Sequence, residues 1–294
     1  MVVTVSDLVD LTELDYRINE RVTLRDLLFR RRYVDASIGM RDAREMRKSD
    51  FDRYRMQRRE DGAAENTINH ELNLVRRGYR LAILDGLLET APRIEFFRIG
   101  LRNARTDFLR PSEFDQVLEE VNRRDRAIGD LVEFLFVSGW RRGEAVALEW
   151  SSISDDAITL SARDTKEGKL SSRGHARFLP LIGRLAEVMD RRRTARTPEI
   201  AHVFHRAGKP VGDFRKLWRS SLRAAGLNPK TVVHALRRSF CIYAVDSGLS
   251  PDVVRQFTGH RTPEVFSRYN ICDRARLVSA SKRLSDYLAS DKDS

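Results

Sequence analysis

The spacing of apolar residues in the first third of the chain limits its fold more than any other feature. From Val5 to Leu88 these residues recur three and four positions apart, and no convincing alternating pattern of a strand interrupts them. The period predicts a bundle of about four amphipathic helices. The breaks between the helices fall at Gly39, at Asp61 and Gly62, and at Gly86. The longest helix is expected to begin with Asn66 or Thr67 as its cap and to end near Asp85.

A second domain is predicted to start near Arg110. The length of 294 residues favours two domains, since one domain usually takes about 100–200 residues. Pro92 closes the helical pattern, and the basic stretch after it suits a linker along a charged partner. Ser112 and Asp115 then resemble a capping box ahead of one apolar helix face. The predicted organisation is a helical domain at 1–92, a linker at 93–109 and a second domain at 110–294.

The second domain contains one sheet signal among helical ones. Residues 157–181 have apolar pieces at both ends and a polar, glycine-containing middle, which predicts a small antiparallel hairpin or three-stranded sheet. Two further helix starts and two helix ends are indicated at Ser250-Pro251, Thr262-Pro263, Gly248 and Gly259. The predicted fold class is mainly α (α+β), with an N-terminal helical domain and a mostly helical second domain that holds a small antiparallel sheet.

The charge balance points to a polyanionic partner. Lys and Arg number 54 against 43 Asp and Glu, a formal net charge of +11, and most of the excess lies after residue 108. Charge alone leaves a merely solvated surface as an equal alternative. The two cysteines, Cys241 and Cys272, form neither a disulfide framework nor a metal-ligand set. The acidic N-terminus lacks a leader pattern, and no apolar stretch approaches the ~20 residues of a membrane span, so a cytoplasmic protein is expected.

Several short segments carry residue types that handle phosphate or protons. HALRRSF puts His234 and Arg237 on one face at the start of a helix, where both can reach one anionic group. SPDVVRQFTGH ends a helix at Gly259 and presents His260 just beyond the turn, and the next helix carries Tyr269. Each segment alone has a simpler interpretation, since such residues usually form a solvated helix face or a half-buried core tyrosine.

A further segment makes the combination specific. In SGWRRGEAVALEW a glycine-marked turn places Arg141 just before a helix, with Glu144 three residues later. The complete set, in this order, resembles the tyrosine recombinases, including phage-type and genomic-island integrases. The boxes that carry the resemblance are Gly139 to Glu144, His234 to Arg237, Gly259 with His260, and Tyr269. The likeness covers the whole chain, because the first half also resembles the family's helical core-binding domain.

The resemblance implies cleavage and rejoining of DNA without cofactor, metal or ATP. Tyr269 would attack a backbone phosphate and keep the bond energy as a phosphotyrosine ester. Arg141 and Arg237 would clamp the phosphate oxygens with bidentate, charge-assisted bonds. His260 would add a hydrogen bond, and His234 would accept or shuttle the tyrosine proton. In this interpretation Glu144 orients Arg141.

The family also uses a lysine on the hairpin turn to protonate the leaving 5′-oxygen. Lys166 is the candidate implied by the resemblance. The turn of this chain is several residues longer than is usual in the family, which makes Lys169 a rival and leaves a solvated turn lysine as a third alternative. His175, in the same loop, is expected on the surface.

Double-stranded DNA at a specific site is the expected partner, held by the two domains as a clamp. Base-edge or phosphate contacts are expected from one helix of the first domain. The alternative is that the polar face of this helix is exposed and has no partner. The residues in question are Asn69, Asn73, Arg76 and Arg77. The family resemblance implies a homotetramer on DNA, and leaves open whether an accessory DNA-bending protein takes part.

Residues from about 275 to 288 have an apolar stripe at helical spacing, which predicts an amphipathic helix that packs on its own domain or docks on a neighbouring protomer.

Three other functions stay as alternatives. A silent DNA-binding regulator would lack Arg141, Arg237 or Tyr269. A metal-dependent transposase would need clustered carboxylates. A type IB topoisomerase would share the chemistry but would relax supercoils instead of exchanging strands.

Overall fold

The computed structural model describes residues 2–21, 23–99, 107–161 and 176–260, with residues 278, 281, 282 and 285 of the tail. The chain divides into two compact units, residues 1–104 and 105–294. The described part of the first unit contains α1 (Val5–Ile18), α2 (Leu24–Ile38), α3 (Lys48–Glu60) and α4 (Glu65–Leu84). The predicted helical bundle is therefore correct.

Close packing of α1 on α4 builds the core of the first unit. Gly78 of α4 makes it possible, because a Cβ atom at this position would lie 2.1 Å from the backbone oxygen of Leu8. A capping box at Thr4 and Asp7 starts α1. The predicted cap of α4 is wrong, since the helix begins earlier, with Ala64 as its N-cap. Asn66 and Thr67 do not cap the start of the helix, because both lie within its first turn.

A buried ion pair joins α3 and α4. Glu71 is fully buried and accepts hydrogen bonds from Arg58 at 2.9 Å and from the Tyr54 hydroxyl at 2.7 Å. Burial in contact with the Glu71 carboxylate raises the pKa of Tyr54 above its ordinary value. A buried carboxylate needs such partners, because unpaired charge in the interior is strongly unfavourable. The polar cluster therefore holds the two helices in one register.

The first part of the predicted linker packs on the first unit. Ile94, Phe96 and Phe97 lie against its apolar core, and the guanidinium of Arg55 lies 4.2 Å from the centre of the Phe97 ring. At the far end, Leu109 is buried in the core of the second unit. Residues 100–106 lie outside the described residues.

The second unit is mostly helical in its described part. Its helices are α5 (Pro111–Arg124), α6 (Arg126–Ser138), α7 (Arg142–Val146), α8 (Arg184–Thr194), α9 (Arg215–Ala224), α10 (His234–Asp246) and α11 (Pro251–Thr258), with a 3-10 turn at Trp150–Ser152. Helix α6 is buried over most of its surface and packs against α5, α8 and α10. It forms the centre of this unit's core.

Two small antiparallel sheets complete the second unit. Strands β1 (Ala157–Leu160) and β2 (Arg177–Pro180) pair with Leu160 opposite Arg177, and β3 (His205–Arg206) pairs with β4 (Lys209–Pro210). The predicted hairpin at 157–181 and the predicted fold class are confirmed. None of the helices in the described ranges combines the length and apolar character that crossing a membrane requires.

The predicted helix boundaries in this unit are confirmed at α11 and wrong at α5. Ser250 caps α11 through a 3.3 Å bond from the backbone N–H of Val253, with proline at the first turn. At α5 the capping carboxylate belongs to Glu113, which accepts a 2.8 Å bond from the backbone N–H of Arg110. Arg110 is the N-cap and Pro111 takes the first helical position. The cap therefore lies two residues ahead of Ser112, the predicted cap.

Candidate active site

Arg141 lies at the start of α7, after a tight turn that only glycine permits. Gly139 ends α6 in the left-handed region, with φ 64°, and a Cβ atom there would lie 2.3 Å from the Phe240 ring. Glu144 accepts bonds from the Arg141 backbone N–H at 3.3 Å and from its Nη1 at 3.0 Å. Nη2 of Arg141 donates to the Gly259 oxygen at 3.2 Å. Glu144 therefore holds both the backbone and the guanidinium of Arg141.

Helix α10 brings His234 and Arg237 to the same region from its first turn. Arg237 is buried, with 2% of its surface exposed. Its Nη1 donates to the backbone oxygens of Gly139 at 2.8 Å and Thr258 at 2.5 Å, and its Nη2 lies 2.9 Å from Nε2 of His260. Arg237 thus connects the turn before Arg141 to the end of α11.

Several side chains of the candidate site meet at the C-terminal end of α11. Gly259 adopts φ 70° and turns the chain so that His260 folds back over the last helical turn. The last carbonyls of a helix lack intrahelical partners and carry partial negative charge. Here they accept hydrogen bonds from three arginines, each on a different element: Arg141, Arg177 and Arg237.

Arg177 is the member of this group that the sequence reasoning did not single out. It lies on β2 with its side chain 5% exposed, and its Nη2 is 2.7 Å from Oε2 of Glu144. Its Nη1 donates to the Thr258 oxygen at 3.1 Å, and the guanidinium lies 4.8 Å from the centre of the Trp140 ring. The signal was available in the alternation of β2, because Arg177 shares the buried face of the strand with Leu179.

Burial and the nearby arginines lower the pKa of both histidines. His260 is buried, and burial together with the nearby charges of Arg237 and Arg141 lowers its pKa to about 2. His234 lies in a concave region where its side chain still reaches solvent. The surrounding protein, followed by the charges of Arg237 and Arg238, lowers its pKa to about 4. Both imidazoles are therefore neutral at pH 7.

A basic cleft opens beside this group. It has a volume of about 980 Å³, and Trp140, His234 and Arg237 line one part of it. Its other lining residues include five cations, from α7, α9 and the loop before α10: Arg142, Arg215, Arg219, Arg223 and Lys230. The described residues include no group of three or more His, Cys, Asp or Glu side chains suited to hold a metal ion.

Several predicted site residues lie outside the described residues. These are the nucleophile Tyr269, the two acid candidates Lys166 and Lys169, and His175. The same holds for most of the predicted amphipathic helix at 275–288. Their roles stay predictions.

The proposed DNA-contacting residues lie on α4, where the structure gives Asn69 a role within the fold. Asn69 is buried, and its side-chain amide donates to the Phe97 oxygen and accepts from the Phe97 N–H, both at 2.8 Å. A base contact from Asn69 would compete with both bonds. Arg77 pairs with Asp15 at 2.6 Å. Arg76 is exposed, which leaves its guanidinium accessible to a phosphate.

The comparisons with known proteins identify the family and the fold. The sequence profile of the phage integrase family matches residues 107–276. A search of curated protein sequences finds no significant match. Among solved structures, the Tn1549 transposon integrase in complex with circular intermediate DNA aligns with a TM-score of 0.71 at 18% identity, over 94% of this chain and 98% of that one. A lambda integrase tetramer bound to a Holliday junction aligns with a TM-score of 0.69 at 15% identity, over 91% of this chain and 77% of that one.

The family match covers more than half of the chain and includes every box of the predicted site. The chain belongs to the phage integrase family, and it is a DNA recombinase of the tyrosine type. The resemblance read from its sequence motifs is confirmed.

The ion pair between Arg177 and Glu144 leads to a stability prediction. In Arg177→Met a similar volume stays, but the buried Glu144 carboxylate loses one of its cations. We expect the free energy of unfolding of the second unit to fall by about 3 kcal/mol, measured by chemical denaturation of the full chain with a probe in that unit. Arg215→Met is the matched control, because the Arg215 side chain is 81% exposed and pairs with Asp213 at the surface; its loss should stay below about 1 kcal/mol. Equal losses in the two variants would contradict the structural role of Arg177.

Proposed function

We propose that this chain is a site-specific recombinase that cleaves and rejoins DNA through a 3′-phosphotyrosine intermediate at Tyr269, without metal or ATP. One observation carries the proposal: Arg141, Arg237 and His260 meet within hydrogen-bond distance of one helix end, as an anion site for a phosphodiester requires. Arg141 and Arg237 come from distant parts of the sequence and meet at two backbone carbonyls, those of Gly259 and Thr258.

In the reaction, the Tyr269 oxygen attacks the scissile phosphorus, and the bond to the 5′-oxygen breaks. Neutral His234 has a lone pair at pH 7 that can accept the tyrosine proton, because its pKa is lowered to about 4. The leaving oxygen takes a proton from a lysine, for which Lys166 is the candidate and Lys169 the rival. The ester conserves the energy of the broken bond, so rejoining runs the same steps in reverse.

The two arginines stabilise the charge that develops on the phosphorane. Arg141 is 24% exposed in its side chain, with its Nη1 held by Glu144 and its Nη2 by the Gly259 oxygen. Arg237 is positioned by the Gly139 and Thr258 oxygens. Groups held before the substrate arrives need little reorganisation in the transition state. Prepositioned arginines can thus supply the stabilisation that other nucleases obtain from metal ions.

Duplex DNA is the proposed substrate. The cations of the cleft lie beside His234 and Arg237 and can follow the phosphate backbone toward the scissile position. On the first unit, Asn73, Arg76 and Arg77 stay candidates for DNA contact, whereas Asn69 is engaged with Phe97. Exchange between two duplexes needs four strand cleavages, so a homotetramer with a cyclic contact through residues 275–288 is part of the proposal.

The proposal is tested with a nicked substrate whose cleaved end diffuses away and prevents rejoining. The wild-type protein should form an adduct that survives denaturant, and proteolysis should place the linked nucleotide on the peptide that contains Tyr269. Excess chelator should leave the yield unchanged. Binding without any adduct at any attachment site would favour the silent regulator, and relaxation of supercoils without exchange at a defined site would favour the topoisomerase.

The choice between the two lysines gives a prediction of its own. If Lys166 is the general acid, Lys166→Ala should cleave normal DNA slowly but recover on DNA with sulfur at the 5′-bridging position, because a thiolate leaves without a proton. Cleavage rates on both substrates measure the recovery. Lys169→Ala is the control and should show no selective recovery; the opposite pattern would transfer the role to Lys169.

A further inference from the structure

The side chain of Thr258 is fully buried under His260. Its hydroxyl lies 2.8 Å from the backbone oxygen of Val254, one turn earlier in α11, and 2.7 Å from Nδ1 of His260. The helix itself does not need this hydroxyl, because the backbone N–H and C=O of Thr258 are not changed by it and valine has nearly the same shape. The contact with His260 is the feature that distinguishes threonine from valine here.

The directions of these hydrogen bonds follow from the chemistry of the partners. A guanidinium only donates, so Nε2 of His260 accepts from Arg237 at 2.9 Å. Neutral imidazole carries one N–H, which must then be on Nδ1. A backbone oxygen only accepts, so the Thr258 hydroxyl donates to Val254 and accepts from Nδ1. The bonds therefore run in one direction, from Arg237 through His260 and Thr258 to the backbone of α11.

The same threonine also anchors the arginines through its main chain. Its backbone oxygen accepts from Arg237 at 2.5 Å and from Arg177 at 3.1 Å. The side chain and the carbonyl of Thr258 thus hold His260 and Arg237 at the same helix end. A change at the hydroxyl alters the histidine while leaving the carbonyl and its two arginines in place.

We propose that Thr258 is a positioning residue for recombination, whose hydroxyl keeps His260 in the Nδ1–H tautomer with Nε2 directed toward Arg237 and the phosphate position. This inference rests on the proposed function. A hydroxyl oxygen accepts from Nδ1–H whether the imidazole is neutral or protonated. His260 therefore keeps Nε2 as the acceptor for Arg237, and the fixed ring holds that guanidinium toward the phosphate position.

The test compares Thr258→Val with Thr258→Ser in the full chain. The valine variant should cleave the nicked substrate about ten- to a hundredfold more slowly at saturating DNA, since small misplacements of a catalytic group have effects of this size. Its affinity for a half-site should be unchanged. The serine variant restores the hydroxyl and should cleave within about threefold of wild type.

A matched control separates positioning from stability. Thr12 is also fully buried, and its hydroxyl donates to the backbone oxygens of Leu8 and Leu74 in the first unit. Thr12→Val should lower the melting temperature as much as Thr258→Val, or more, and should leave the cleavage rate unchanged. If cleavage instead follows melting temperature in both variants, the positioning role is overturned.

The ¹⁵N spectrum of histidine-labelled protein without DNA provides the readout that does not depend on cleavage. His260, assigned by its loss in His260→Asn, should show a protonated Nδ1 and an unprotonated Nε2 in wild type and in Thr258→Ser. The Nε2–H tautomer in the wild-type protein would overturn the inference, even if Thr258→Val folds poorly. Failure of the wild type to form an adduct, with the expected tautomer present, would instead count against the proposed function.

Discussion

Tyr269→Phe is expected to abolish the covalent protein–DNA complex while the protein still binds its half-site. The substitution removes one oxygen atom and retains the ring, so packing around the side chain changes little. Without a hydroxyl, no ester to phosphorus can form. The measurement is the yield of denaturant-resistant adduct on a nicked substrate, with half-site affinity measured on the same preparation.

Tyr243→Phe is the matched control for this experiment. It removes the same atom from another tyrosine of the second unit, on α10, whose ring packs edge-on at 6.4 Å from Phe108. This variant should give the wild-type yield of adduct. An adduct of Tyr269→Phe would mean that another side chain is the nucleophile, and peptide mapping would identify it.

Local signals predicted much of this fold because their causes are local. The Ser250 cap, the proline after it and the left-handed Gly259 follow from backbone chemistry within a few residues. The hairpin of β1 and β2 was predicted from apolar ends around a polar turn. At α5 two carboxylates were close enough to serve as the capping partner, and spacing alone could not show that Glu113 is the one used.

The roles of Asn69 and Arg177 depend on contacts that are distant in sequence. Asn69 belongs to the polar part of the α4 pattern, yet a segment 28 residues later returns and takes both of its amide hydrogen-bonding groups. Arg177 is buried because Glu144 and the end of α11 come to it from two other parts of the chain. The alternation of β2 places Arg177 on the buried face of the strand, but no local pattern identifies its partners.

Sequence motifs proposed the residues of the candidate site but not its geometry. The boxes around Arg141, Arg237 and His260 came from sequence motifs. That Arg141 and Arg237 would share the last carbonyls of α11 with Arg177 as a common anchor could not be read from the motifs, because backbone acceptors carry no sequence signature. This anchor explains how three guanidinium groups approach one another: each is held by a partially negative helix end.

Arg237→Lys is expected to lower the cleavage rate at saturating DNA by about a hundred- to a thousandfold. The guanidinium uses Nη1 for two backbone oxygens and Nη2 toward His260. A lysine ammonium is a single point of charge on a flexible stem and cannot occupy both positions. Half-site affinity should stay within about threefold, because this residue is one of many phosphate contacts.

Arg192→Lys controls for the cost of changing a buried arginine. Arg192 of α8 is 5% exposed and donates to the backbone oxygen of Val203 at 3.1 Å. Its replacement should destabilise the second unit to a similar extent, without loss of cleavage at a temperature where both variants are folded. A cleavage rate for Arg237→Lys close to that of Arg192→Lys would show that the positive charge alone suffices at position 237, and the bidentate clamp would have to be abandoned.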